Sequence, residues 1–273
     1  MVKTITIANQ KGGVGKTMTS VSLSAYLGLH DKRVLLVDLD PQGHSTKAFG
    51  YYDKNSYNLS IKEIFEQILE DIPINKKEII IHTEEGVDLV PSNISLASIN
   101  SKIHNSMCRE TILKRFLDSV KDDYDFIIID TSPSLDILPI NAMTASDSII
   151  ITVQAEPYGV EGMADLLKSI NVVKRNLNKD LKIEGVLITM TDNRTKLSKT
   201  IAQDVKYGYG ERIKVFHQTI PRCIKAAESN YVGQSIFKYD PNGKATKAYE
   251  KIAKEVFDIG KKDISRSQNY NIR

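Results

Sequence analysis

Cysteine is scarce in this chain of 273 residues: Cys108 and Cys223 stand far apart, without metal-type spacing. A disulfide framework and a cysteine-ligated zinc or iron–sulfur site are therefore excluded, and the two read as reduced cytosolic thiols. Excess charge is also missing, with 37 Lys and Arg against 34 Asp and Glu. Such a balance does not announce a nucleic-acid binder, which needs only a local basic patch. No apolar run approaches the roughly 20 residues of a membrane span. The chain enters strand-like sequence almost at once, so no signal peptide is expected. A cytoplasmic protein, with one large α/β domain over residues 1–260, fits these limits. Residues 261–273 are polar and aperiodic, and are expected to form a loose tail.

What the chain does have is the run Lys11-Gly12-Gly13-Val14-Gly15-Lys16-Thr17. Three glycines let the backbone turn tightly and aim successive N–H groups inward, which suits a phosphate. Lys16 supplies a point positive charge for terminal phosphates, and the Thr17 hydroxyl can hold Mg²⁺. Residues 3–8 before the run read as a strand, and residues 17–29 after it have apolar residues at helical spacing. A helix N-terminus there adds its own partial positive charge. Lys11 lies too far back to reach its own γ-phosphate easily. It is read either as a cation lent to a nucleotide held by a second copy, as an arginine finger acts, or as a solvated surface lysine.

Short apolar runs recur at residues 34–37, 79–81, 87–90, 126–129, 148–153 and 186–190. They lack polar alternation, as strands covered on both faces do. Helical periodicity marks residues 61–72, 111–121, 162–177 and 198–207. The alternation predicts a doubly wound α/β fold with a mostly parallel sheet. Ligands then bind beyond the carboxyl ends of the strands. The glycine loop, Asp38 with Asp40, and Asp130 each follow an apolar run, so the fold would gather them at one edge. Asp130 ends a hydrophobic strand, where a carboxylate holds Mg²⁺ directly or through water. Asp38 and Asp40 are two apart and share a face in extended geometry.

Several stretches in order resemble one family. Residues 11–17 are similar to the deviant Walker A motif of the ParA/MinD ATPases. Val37-Asp38-Leu39-Asp40-Pro41-Gln42-Gly43, Phe126-Ile127-Ile128-Ile129-Asp130 with Thr131-Ser132-Pro133-Ser134, Asn141-Ala142-Met143-Thr144-Ala145-Ser146-Asp147, Val153-Gln154-Ala155-Glu156 and Ile220-Pro221-Arg222 narrow the likeness to the ParA/Soj branch of DNA-segregation ATPases. The resemblance covers residues 3–257. It implies slow, Mg²⁺-dependent ATP hydrolysis and an ATP-driven homodimer sandwich in which Lys11 is a catalytic group. Residues 11–18, Met18 included, would contact ATP. Asp40 would position the attacking water, and Asp38 would support Mg²⁺ or Lys16. Met190 and Pro221 are the matching candidates for the adenine, or are ordinary packing.

The resemblance also implies a sequence-independent surface for double-stranded DNA. Arg194 matches it; the second position holds Lys225, which keeps the charge but not the bidentate fork. A ParB-like centromere-binding partner and a nucleoid-associated location follow from the same likeness. Beginning at the first strand leaves no room for an N-terminal helix-turn-helix, so operator-specific repression is not expected. A MinD-like membrane positioner is the main alternative, but residues 265–273 show no apolar stripe for an interfacial helix. A relative of the nitrogenase iron protein would need a cysteine-held cluster, and position 131 is Thr. A nucleotide-sensing scaffold without turnover would not need Asp40 and Lys11.

Overall fold

The computed structural model describes residues 2–104, 106–156, 161–192, 194–210 and 212–269, with backbone alone at residue 161 and from 257 onward. Seven strands are β1 (Lys3–Ala8), β2 (Val34–Leu39), β3 (Ile81–His82), β4 (Asp88–Val90), β5 (Phe126–Thr131), β6 (Ser148–Gln154) and β7 (Lys182–Thr189). They lie in the order β3-β4-β2-β5-β1-β6-β7. Every neighbouring pair is parallel except β3 with β4.

The helices are α1 (Lys16–Gly28), α2 (His44–Lys47), α3 (Ile61–Leu69), α4 (Lys76–Ile79), α5 (Ile99–His104), α6 (Ile112–Val120), α7 (Ile137–Thr144), α8 (Glu161–Asn176), α9 (Lys196–Tyr209), α10 (Ile224–Tyr231), α11 (Ile236–Tyr239) and α12 (Lys244–Asn269). Successive strand residues point to opposite faces, and both faces are covered. Ile5, Ile7, Leu36 and Ile128 pack with Val21 and Leu23 of α1 and with Tyr249, Ile252 and Val256 of α12. Leu35, Val37, Ile127 and Ile129 pack with Ile64 and Phe65 of α3 and with Phe116 and Leu117 of α6. A third cluster joins Ile149 and Ile151 to Met163, Leu166 and Ile170 of α8 and Val205 of α9. Each such side chain contributes about 1.5–3 kcal/mol on leaving water. This is why β2, β5 and β6 each carry an unbroken apolar run. The doubly wound, mostly parallel architecture expected from the sequence is the one found.

Local signals explain several boundaries. Ser60 accepts from the Lys62 amide while Glu63 accepts from the Ser60 amide at 2.8 Å, a capping box that starts α3. That helix stops at Leu69, short of the expected residue 72, and Asp71 takes a left-handed φ of 53°. The run at 79–81 divides: Ile79 closes α4, and only Ile81 joins a strand. The periodic segments singled out above end at 207, whereas the structure adds α10, α11 and α12 beyond them. The tail expected at 261–273 enters α12, whose backbone is helical as far as Asn269; residues 270–273 lie outside the described residues.

Candidate nucleotide site

Four parallel strands deliver the site. The glycine loop leaves the end of β1, Asp38 lies near the end of β2 with Asp40 just beyond it, Asp130 lies near the end of β5, and Thr189 ends β7. Register places Asp38 directly beside Asp130, and Asp130 beside Ile7 of β1.

Gly13 and Gly15 adopt φ of 74° and 84°, a region that disfavours any side chain. A Cβ on Gly15 would also lie 3.4 Å from Cγ2 of Thr189. Gly15 is the N-cap of α1; no side chain caps it, and the first turn carries no acid. The helix end thus keeps its positive character for an anion. Two bonds set the loop's shape. Thr189 Oγ1 donates to the Val14 carbonyl at 2.9 Å, and Lys16 Nζ donates to the Lys11 carbonyl at 3.0 Å. Lys16 is buried, which lowers its pKa, while Asp130 and Asp40 oppose that shift.

Asp130 is fully buried and gathers hydroxyls. Thr17 Oγ1 donates to its Oδ2 at 2.8 Å, Ser45 Oγ to the same oxygen at 2.7 Å, and Ser20 Oγ to Oδ1 at 3.1 Å. Burial raises its pKa, partly offset by the Ser45 and Thr17 bonds. Asp38, also fully buried, accepts from the Thr46 amide and hydroxyl at 2.8 and 2.7 Å and from the Asp40 amide at 3.2 Å. Burial, then the charge of Asp130, pushes its pKa up to about 7. Two adjacent buried carboxylates of this kind favour a cation nearby. Asp40 is oriented differently: its Oδ1 accepts from the Gln42 amide at 2.9 Å, and its side chain borders the cleft.

That cleft has a volume of about 460 Å³. Lys16, Thr17 and Asp40 line its polar part; Met18, Met190, Pro221 and Tyr249 line its apolar part. Met190 and Pro221 are brought together by a bridge between Thr191 and Pro221, and Met190 takes a left-handed φ of 53°. Such a conformation costs on the order of 1–3 kcal/mol and persists only where packing imposes it. Gly12, Gly13 and Gly15 also border the cleft, whereas Lys11 and Val14 do not. A larger groove of about 880 Å³ lies beyond Gln42, but it holds neither the glycine loop nor any of the three aspartates.

Neither residue expected to contact DNA lines the cleft. Arg194 forks onto Asp192 at 2.9 and 2.8 Å, and Lys225 meets Asp240 at 3.1 Å. Both cations are largely exposed. Sequence reading missed Ser20, Ser45, Thr46, Ser92 and Thr189, the hydroxyls that hold loop and carboxylates; their spacing carries no pattern that marks them. Among the described residues, no group of three His, Cys, Asp or Glu is gathered to hold a metal alone. No helix among them is long and apolar enough to cross a membrane.

A glycine loop opening a helix at the carboxyl edge of a parallel sheet, with a buried lysine and a strand-end aspartate, defines a P-loop nucleotide-binding protein. The family model described as an AAA domain matches residues 2–183. Sporulation initiation inhibitor protein Soj of Bacillus subtilis is 44% identical over 260 residues, 94% of this chain and 98% of that protein. Chromosome partitioning protein ParA of Myxococcus xanthus is 37% identical, over 96% and 89%. Among solved structures, cobyrinic acid a,c-diamide synthase from Mycobacterium smegmatis with bound ADP and magnesium aligns with a TM-score of 0.80 at 35% identity, covering 93% of each chain. A plasmid partition protein from Borrelia burgdorferi bound to AMPPNP aligns at 0.76 and 28%, covering 96% of this chain and all of that one. The chain belongs to the Soj/ParA family of chromosome-partitioning ATPases.

Proposed function

We propose that this protein is an ATP-hydrolysing DNA-partitioning switch. The observation that carries the reading is the meeting of the buried Lys16 ammonium and the glycine loop at one wall of the cleft, with Asp130 hydrogen-bonded to Thr17 of that wall. The residues present fit a magnesium triphosphate. Among the described residues Lys16 Nζ donates to one carbonyl, that of Lys11 in the loop itself, so its remaining N–H groups are available to phosphate oxygens. Residues 12–18 would bind the phosphates and sugar, with Met190 and Pro221 against the base. Thr17 and Asp130, supported by Asp38, would hold Mg²⁺. Mg²⁺ supplies charge neutralisation for phosphoryl transfer when bound.

The chain's own groups do the rest. Asp40, poised at the cleft by the Gln42 amide, orients the attacking water and accepts its proton. Lys11 does not line its own cleft, which supports a role across a dimer: each copy lends that ammonium to its neighbour's phosphates. The dimer binds duplex DNA without sequence preference through Arg194 and Lys225. A ParB-like partner on the cargo stimulates hydrolysis, and the open protomers leave the nucleoid. ATP favours the closed form because only that form makes the contacts across the interface.

The test is Lys11→Ala. Affinity for ATP should stay within a few-fold of wild type, while phosphate release and ATP-driven dimerisation, followed by light scattering, are lost. Equal loss of ATP affinity would return Lys11 to its own active site.

A further inference from the structure

Two of the hydroxyls in the site come from neighbouring residues on α2, and nothing in the reaction described above uses them. Ser45 is fully buried and gives its one hydrogen to Asp130 Oδ2 at 2.7 Å. Thr46 gives its hydroxyl hydrogen to Asp38 Oδ2 at 2.7 Å and accepts from the Ser92 amide at 2.9 Å. Ser92 Oγ in turn donates to the Asp40 carbonyl at 2.8 Å. The turn from Asp40 into α2 is tightly seated: Gly43 has φ 60°, and a Cβ there would lie 2.6 Å from the Ser92 carbonyl oxygen. One turn of helix therefore touches both buried carboxylates, on two adjacent strands, and is tied through Ser92 to the backbone of Asp40.

We propose that Ser45 and Thr46 are positioning residues: they hold Asp130 and Asp38 from a single turn, and so key the loop bearing Asp40 to the strand ends that receive the divalent cation. This rests on the magnesium-nucleotide reading above. A hydroxyl has one hydrogen to donate. Asp130 Oδ2 therefore takes two separate hydrogens, one from Thr17 and one from Ser45. Ser45 comes from α2, whereas Thr17 and Ser20, the latter on Oδ1, belong to α1. Hydrogen-bond partners of a metal-holding carboxylate fix its orientation, and their loss costs about 10–100-fold in metal affinity or activity.

The experiment is a Mg²⁺ titration of the full chain with a fluorescent, non-hydrolysable ATP analogue, paired with analogue binding in EDTA. Ser45→Ala should raise the half-saturating Mg²⁺ concentration about tenfold and leave binding in EDTA within about twofold. Ser45→Cys keeps the size and a weak donor; its midpoint should fall between the two, and it carries the test should the alanine variant not fold. Thr46→Val should slow hydrolysis about tenfold at saturating Mg²⁺, and Thr46→Ser should restore it. An unchanged Mg²⁺ midpoint in a Ser45→Ala protein that binds the analogue overturns the positioning role alone. Equal weakening with Mg²⁺ and with EDTA overturns it too, by assigning Ser45 to general packing. A wild-type chain that binds no analogue under either condition overturns the nucleotide reading as well.

Discussion

The strand-end cleft and the exposed cations Arg194 and Lys225 handle charge in opposite ways. In the cleft, Lys16, Asp38 and Asp130 are buried, and backbone and hydroxyl groups meet them at set distances. Arg194 and Lys225 are instead exposed, and each meets an acid, Asp192 and Asp240. Charges out of water interact strongly and cost much if left unmatched. Exposed pairs are worth about 0–1 kcal/mol and yield easily to another anion. The first region is built to hold one ligand in one geometry. In the proposed function the second meets a polyanion, which need not be held in register.

The contrast can be broken most strongly at Lys16. Lys16→Ala should weaken nucleotide binding by at least about 100-fold, as loss of one partner in a buried charge cluster does; isothermal titration calorimetry would measure it. Asp40→Ala comes next. Phosphate release should fall about 100-fold with nucleotide affinity little changed, and an equal fall in both would make Asp40 structural.

Asp38 sharpens the comparison through pH. Its pKa is about 7 in the folded chain against an ordinary 3.8. Between those values the folded chain holds a proton that the unfolded chain has released. Stability in EDTA should therefore fall as pH rises from about 4 to about 7, then level off. Asp38→Asn should flatten that slope in urea titrations.

The smallest effects belong to the exposed cations. Arg194→Ala should weaken binding to random duplex uniformly across sequences and reduce the salt slope by about 1. Asp192→Asn frees Arg194 and should raise DNA affinity by no more than about fivefold. A larger gain would mean that the Asp192 pair restrains DNA binding rather than decorating the surface.

Much of the fold was legible. The strand over residues 3–8 has the same bounds in the structure, and the helix expected at 17–29 runs from Lys16 to Gly28. These elements carry strong local patterns with glycine punctuation between them. Boundaries slipped where tertiary packing overrode the pattern, as at Ile79, which is buried as part of a helix rather than a strand. α12 escaped notice although Tyr249, Ile252 and Val256 lie three or four residues apart, because polar residues dominate its composition. The aspartates and the glycine loop stood out through residue type and position after apolar runs. The serines and threonines that hold them did not, since a hydroxyl is equally at home on a surface.

Residue order alone specifies the glycine turn, the apolar strands and the acids that follow them. Each depends on interactions within a few positions along the chain: the freedom of a glycine, the two-residue alternation of a strand, the spacing of a helix. Which groups meet across the sheet is another matter. Ser45 reaches Asp130 because β2 lies against β5, and Thr189 reaches Val14 because one strand, β6, separates β7 from β1. That arrangement is imposed by covering both faces of one parallel sheet at once, a condition that no local stretch of sequence expresses.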